Sequence, residues 1–308
     1  MKFAFKNLRT RLLRAVCQRL YQRGIADITA TAPLQPGALP YTLLSMVQHR
    51  DVLPYLVALK SFHAQLPAQR VVVVCDPSIT PADRALMLQH VQHLVLRDAD
   101  EFTHPQLVRG GTWERLYAIS EYACHGYVVQ LDADTVTLGP VPEVRSAIEQ
   151  GHGFVIGECE GQTTETLDTT ARRARPWLAP PSSSTHIQAI VEADIDEAGL
   201  PDGVRYVRGC SGFTGFPQDP GMREQLLAFS ARMQQRHGAR WADWGTEQIT
   251  SNFLVANAKG TRVLPFPRYA TPDASVSDTC FLHFIGYLRF IDRRYEKLSR
   301  RVIANMPR

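Results

Sequence analysis

Between residues 41 and 131, apolar runs of strand length alternate with segments of helical period, and this alternation restricts the fold more than any other feature. TLLSMV (42–47) is a short apolar run, 52–66 has a helical period, and VVVVC (71–75) is a buried strand ended by Asp76 and Pro77. Thr80 caps an expected helix over 81–92, HLVLR (93–97) reads as a strand, 113–124 as a helix and YVVQL (127–131) as another strand. Strand and helix in alternation predict an α/β fold with a mostly parallel sheet covered on both faces. Ligands of such sheets gather at the carboxyl ends of the strands.

Outside this block the pattern changes. Residues 159–203, with GQTTETLDTT, RRAR and PWLAPPSSS, interrupt the repeat and read as an inserted segment or long loop on the acceptor side, with a helix over 186–198. Order returns with VRYVRGCSGFTGF as strands, helices near 220–236 and 245–257, strands TRVLPF and CFLHFI, and a terminal helix from 291. Residues 26–40 hold three prolines without an amphipathic period and read as a linker.

Charge is unevenly placed. Residues 1–25 carry seven cations and no acid, residues 288–308 have a net charge of +5, and the whole chain is only +4, so the body between is acidic. Phe5, Leu8, Leu12, Val16 and Leu20 recur at helical spacing between those cations, which makes 1–25 a basic amphipathic helix. It either lies on an anionic membrane surface or packs on the protein body. No nucleic acid is expected as a partner, because cations gathered at the ends lack an accompanying aromatic-basic stacking motif. No apolar stretch reaches spanning length. Six cysteines without a CxxC pair, and a first segment without an apolar signal core, lead us to expect a cytoplasmic protein with reduced thiols.

The sharpest local chemistry lies in YVVQLDADTVTLGPV, where a buried strand delivers Asp132 and Asp134 to its carboxyl end. Residues two apart on an extended chain share a side, so both carboxylates can face one point. Hard oxygen ligands of this kind suit Mg²⁺ or Mn²⁺ with a diphosphate. The same D-x-D-x-V also matches the nucleophile loop of haloacid-dehalogenase-like phosphatases. That chemistry needs a later lysine, for which Lys259 is available, and a second acidic pair, for which Asp194 and Asp196 in EADIDEAG stand in an unsuitable context.

The rest of the chain resembles the GT-A nucleotide-sugar glycosyltransferases, particularly the retaining family of glycogenin and the bacterial lipopolysaccharide galactosyl- and glucosyltransferases. WERLYAISEYACHGYVVQLDADTVTLGPV is similar to that family's helix, strand and DADTLVL block, with Arg115 in place of a lysine. GCSGFTGF is similar to its N-S-G strand, with Cys210 for asparagine, and WGTEQITSNFL to its D-Q-x-x-x-N helix, with Glu247 for aspartate and Gln248 and Asn252 at matching spacing. FLHFIGYLRF is similar to its H-F-x-G-x-x-K-P-W segment: His283, Phe284 and Gly286 match, Arg289 replaces the lysine, and the Pro-Trp is absent.

This resemblance implies one GT-A domain over 41–308 that transfers a hexosyl group from a UDP-sugar to a polysaccharide or lipid-linked acceptor with retention. Asp132, Asp134 and His283 would bind Mn²⁺ or Mg²⁺. Arg289 and Arg115 would meet the phosphates or donor sugar, with Gly286 alongside, and Ser211 and Gly212 would form a narrow wall beside the substrate. Glu247 and Gln248 would lie near the reacting carbon, although the longer Glu247 can equally serve the dipole of its own helix. Trp113 and Trp177 are either sugar-stacking or buried tryptophans. A nucleotide-sugar-binding protein without catalysis is the non-enzymatic reading of the same motifs.

Overall fold

The computed structural model describes residues 2–178 and 185–308, with only the backbone described for residues 2–9 and Tyr287. The chain begins with helix α1 (Lys2–Gly24), followed by β1 (Leu39–Val47), α2 (Val52–His63), β2 (Ala68–Cys75), α3 (Pro81–His90), β3 (Leu94–Asp98), α4 (Trp113–Ala123) and β4 (Tyr127–Leu131). Next come β5 (Thr135–Thr137), α5 (Pro142–Gln150), β6 (Phe154–Ile156), β7 (Glu165–Thr166), α6 (Leu167–Ala174), α7 (Ile187–Asp194) and β8 (Arg205–Tyr206). The remainder is β9 (Cys210–Phe216), α8 (Met222–His237), α9 (Thr246–Asn257), β10 (Arg262–Leu264), β11 (Tyr269–Ala270), β12 (Phe281–His283) and α10 (Arg294–Ala304). This is an α/β protein with a mainly parallel sheet flanked by helices.

Two compact units share these elements. The first comprises residues 1–96, 131–142 and 267–308. In it β1 and β2 run parallel, from Thr42 opposite Arg70 to Val47 opposite Cys75. Val71 to Val74 are all fully buried, which explains an unbroken β-branched run where a half-exposed strand would alternate. Helix α3 starts where Thr80 and Asp83 form a reciprocal capping box with Pro81 in the first turn. A small sheet places β12 between β11, parallel, and β5, antiparallel.

Helix α1 belongs to this unit in two different ways. Near its end Cys17 and Tyr21 are buried, and Tyr21 stacks on Tyr295 of α10 at 4.0 Å between ring centroids. Earlier, Leu12, Leu13 and Val16 are exposed among Arg11 and Arg14. The side chains of Phe5 and Leu8 lie outside the described residues. Residues 26–40, expected as a linker, are held down. They open with a 3-10 turn over Ala26–Ala30, Ile28 is fully buried, and Lys60 Nζ donates to Thr31 Oγ1 at 2.7 Å and Ala32 O at 2.8 Å. The prolines gave no periodic signal for this packing, because the anchors come from α2.

The second unit comprises residues 97–130 and 143–266. Its strands follow the order β10-β6-β9-β4, with β10 parallel and β9 antiparallel to β6. The core includes Trp113 against Trp241 and Phe229 stacked on Phe253 at 4.1 Å. Within 159–203 the structure shows α7 inside the helix expected over 186–198, and adds α6, where a long loop was one expectation. Threonine-rich sequence disguised α6, since threonine is a weak helix former. Thr166 nevertheless caps its first turn, and Ala171 and Ala174 are buried.

Candidate functional site

In the first unit, β4 ends at Leu131 and β5 begins at Thr135, so Asp132, Ala133 and Asp134 form the connection. Antiparallel pairing of β12 on β5 sets His283 opposite Thr135. The amide of Phe284 donates to Asp134 O at 2.8 Å, Thr135 Oγ1 donates to Asp132 O at 2.9 Å, and the Tyr295 hydroxyl reaches Ala133 O at 3.4 Å. Backbone fixed at three successive residues pre-orients the side chains. His283 Nε2 lies 3.1 Å from Asp134 Oδ1 and 3.8 Å from Asp132 Oδ2. One ligand atom from each residue falls within 4.8 Å of the other two.

Arg289 completes the group. Its Nε is 2.9 Å from Asp134 Oδ2 and its Nη1 is 3.2 Å from Asp51 Oδ1, while Gln48 Nε2 donates to Asp51 Oδ2 at 2.8 Å. Burial opposes ionisation of Asp134, but the charge and hydrogen bond of His283 and the charge of Arg289 outweigh it and hold the carboxyl at about 2. Two carboxylates and an imidazole are hard or borderline donors that match a Mg²⁺ or Mn²⁺ ion sharing its shell with phosphate oxygens. Gly286 opens a 3-10 turn over Gly286–Leu288, and a Cβ there would meet nothing within 4 Å, so its backbone is open to a ligand.

In the second unit, α4, β9 and α9 bring another set together. Arg115 Nη2 is 3.0 Å from Glu247 Oε1 and 3.4 Å from Ser211 Oγ, and Thr112 Oγ1 donates to Glu247 Oε2 at 3.0 Å. Both Arg115 and Glu247 are nearly inaccessible. The structure gives Arg115 an ion pair with Glu247. Gly212 is buried in β9 beside Ser211. Gln248 Nε2 donates to Gln188 Oε1 at 3.1 Å, and Gln188 continues to Glu192, which receives Tyr206 and Arg208. Asn252 Nδ2 donates to Gly209 O at 3.1 Å, bracing the strand that carries Cys210 and Ser211.

Trp113 is buried, its Nε1 donating to Thr246 Oγ1. Trp177 is half-exposed, with the guanidinium carbons of Arg208 and Arg173 at 4.7 and 5.3 Å from its ring centre. Asp194 and Asp196, the acidic pair of the phosphatase reading, are occupied by Arg236 and Arg175. Sequence reasoning missed Asp51 and Thr112. Nothing marks Asp51 locally, but the two glycines before Thr112 hint at its positive φ of 74°.

No protein-family model matches the sequence, and no curated protein matches it. Among solved structures, it is similar to the bifunctional glycosyltransferase WbbM in its apo form, with a TM-score of 0.54 and 13% identity over 89% of this chain. The present chain spans 51% of that one, about half its length. It is also similar to the galactosyltransferase LgtC in complex with donor and acceptor sugar analogs, with a TM-score of 0.52 and 13% identity, covering 86% of this chain and 96% of that one. Likeness at this level of identity establishes architecture, and with the strand-end Asp132–Ala133–Asp134 and the β12 histidine it shows that this chain has the GT-A glycosyltransferase fold.

Proposed function

We propose that the protein is a metal-dependent glycosyltransferase that moves a sugar from a nucleoside-diphosphate sugar, a UDP-sugar in our reading, to a polysaccharide or lipid-linked acceptor with retention of configuration. The convergence of Asp132, Asp134 and His283 at a strand end of a GT-A fold carries this reading. Those three residues would hold Mn²⁺ or Mg²⁺, which when bound stabilises charge on the departing diphosphate. Arg289, oriented by Asp51, adds a fixed cation to the same group of side chains. In front-side transfer the leaving phosphate accepts the acceptor proton, so no strong protein base is needed.

By resemblance, Glu247 and Gln248 are assigned to the reacting sugar, Ser211 and Gly212 to the wall beside it, and Gly286 and Arg289 to the phosphates. Arg115 enters as the partner that fixes Glu247. The decisive experiment incubates the full chain with a panel of nucleotide-sugars and Mn²⁺ and detects released nucleoside diphosphate by mass spectrometry. Release from one UDP-sugar supports the reading. Release of inorganic phosphate without diphosphate overturns it in favour of the phosphatase.

We also propose that α1 rests on an anionic membrane surface. No helix among the described residues is long and apolar enough to cross a membrane. Leu12 and Val16 are nevertheless more than half exposed beside Arg11 and Arg14, a combination that favours an anionic interface. Substituting Leu12, Leu13 and Val16 by Ser should release the protein from phosphatidylserine-containing liposomes at low salt. Full-length protein that ignores such liposomes would end this idea.

A further inference from the structure

Helix α7 carries two buried polar side chains one turn apart, Gln188 and Glu192, and Glu192 is fully inaccessible. Its carboxylate is held at both oxygens. Oε1 accepts from the Tyr206 hydroxyl at 3.1 Å and from Gln188 Nε2 at 2.8 Å, and Oε2 accepts from Arg208 Nη1. Gln188 Oε1 in turn accepts from Gln248 Nε2 of α9 at 3.1 Å. A chain of hydrogen bonds therefore runs from Arg208 through Glu192 and Gln188 to Gln248.

Donors and acceptors in this chain can run in one direction only. A carboxylate has no hydrogen to give, so Gln188 must turn its NH₂ group toward Glu192 and its carbonyl oxygen toward Gln248. Gln248 must answer with its own NH₂. The remaining end of that amide, Oε1, takes no part in the chain. An amide that could flip without changing shape is thus fixed by a charge two side chains away, because reversing it would leave buried donors facing donors.

We propose that Glu192 is a positioning residue: acting through Gln188, it fixes the polarity of the Gln248 amide so that Oε1, and not the NH₂ group, is offered to the reacting sugar. This inference rests on the glycosyltransferase reading for the sugar, and on the hydrogen-bond chain alone for the orientation. Positive charge develops at the anomeric carbon as the diphosphate leaves, and a carbonyl dipole stabilises it where an NH₂ group would oppose it. The substitution Glu192→Gln isolates this effect. Arg208 would claim the oxygen of the new amide, whose NH₂ would then face Gln188, and both Gln188 and Gln248 would have to invert. No hydrogen bond along the chain is lost, but Gln248 turns its NH₂ outward. Adding Gln188→Glu reverses this, because a carboxylate between two amides accepts from both.

The test compares the full chain as wild type, as Glu192→Gln, as Glu192→Gln with Gln188→Glu, and as Gln188→Met, which breaks the chain but keeps the Glu192 pair with Arg208. Glutamine-selective isotope labelling follows hydrogen exchange of the Gln248 NH₂ group by NMR, its resonance assigned by loss in Gln248→Met. Release of nucleoside diphosphate from the panel of nucleotide-sugars with Mn²⁺ gives kcat and KM in parallel. Exchange should be slow in wild type and in the double variant, and fast in Glu192→Gln and Gln188→Met. Turnover should fall by about 10² in Glu192→Gln with KM nearly unchanged, and recover in the double variant. Equal exchange in wild type and both single variants, or no recovery in the double variant, overturns the proposal. Fast exchange with wild-type kcat overturns it too, since the orientation would then not matter to the sugar. The expected exchange pattern without turnover of any nucleotide-sugar would uphold the orientation and remove the transferase reading. If Glu192→Gln does not fold, Gln188→Met decides by the same two readouts.

Discussion

The Asp132–Asp134–His283 group and the Glu247–Arg115 group are built from similar side chains, but they balance charge differently. In the first, Arg289 is shared between Asp134 and Asp51, Arg50 lies 3.7 Å from Asp51, and Asp132 adds a carboxylate that converges with Asp134 on His283. In the second, one carboxylate faces one guanidinium, with the Thr112 and Ser211 hydroxyls filling the remaining directions. Converging oxygen ligands favour a divalent cation. A matched buried pair is self-contained, and its members depend on each other for their place in the fold. Removing a residue from the first group should therefore show in ligand binding, and from the second in stability.

The largest expected effect follows Asp134→Ala. Titration calorimetry with UDP and Mn²⁺ should show no metal-dependent binding, and transfer should fall by about 10³, in protein that still folds, because Arg289 keeps Asp51 as a partner. Unchanged UDP affinity would sink the metal assignment. Within the same group, His283→Ala should weaken Mn²⁺ affinity, whereas Arg289→Ala should mainly lower turnover, by about 10² to 10³. Equal Mn²⁺ affinity in wild type and His283→Ala would break the division of labour.

Arg115→Ala should reverse the pattern. It strands Glu247 in a nearly inaccessible position, and breaking a buried pair from one side costs about 3 to 5 kcal/mol. Denaturant unfolding should report that loss, while Mn²⁺ affinity stays near wild type. Full stability in Arg115→Ala would mean that the pair is not structurally coupled.

A smaller effect concerns Lys60, a buried cation held by Thr31 Oγ1, Thr31 O, Ala32 O and His90 Nδ1. Burial lowers it from 10.5 to about 8. Between those values the unfolded chain keeps the proton and the folded chain has released it, so unfolding binds a proton and stability rises with pH. Below about pH 8 both states are protonated and the slope vanishes. Relative to Lys60→Met, wild type should gain up to about 1.4 kcal/mol per pH unit from pH 8 to 10. A flat difference across that window would show that Lys60 titrates normally.

Much of the secondary structure was legible because its signals are short-range. The Thr80 capping box, the unbroken VVVV run and the helical period of 113–124 each depend on neighbours within a few residues, and each element formed where those signals lay. The α6 helix was hidden because its support comes from one cap and two alanines packed by tertiary contacts.

For the site, the chain alone determined that Asp132 and Asp134 would emerge at the end of a buried strand, whereas it is the turn between β4 and β5, and not an extended two-residue period, that places them. Resemblance could nominate His283 and Glu247 but could not say what they touch. Only the tertiary structure decided that β12 pairs with β5 so that an imidazole 149 positions away meets Asp134. It also decided that Asp51 orients Arg289, that Arg115 pairs with Glu247, and that the indole of Trp244 faces solvent. Distant pairings of this kind are set by strand register and by the balance of buried charges, and neither leaves a periodic trace in sequence.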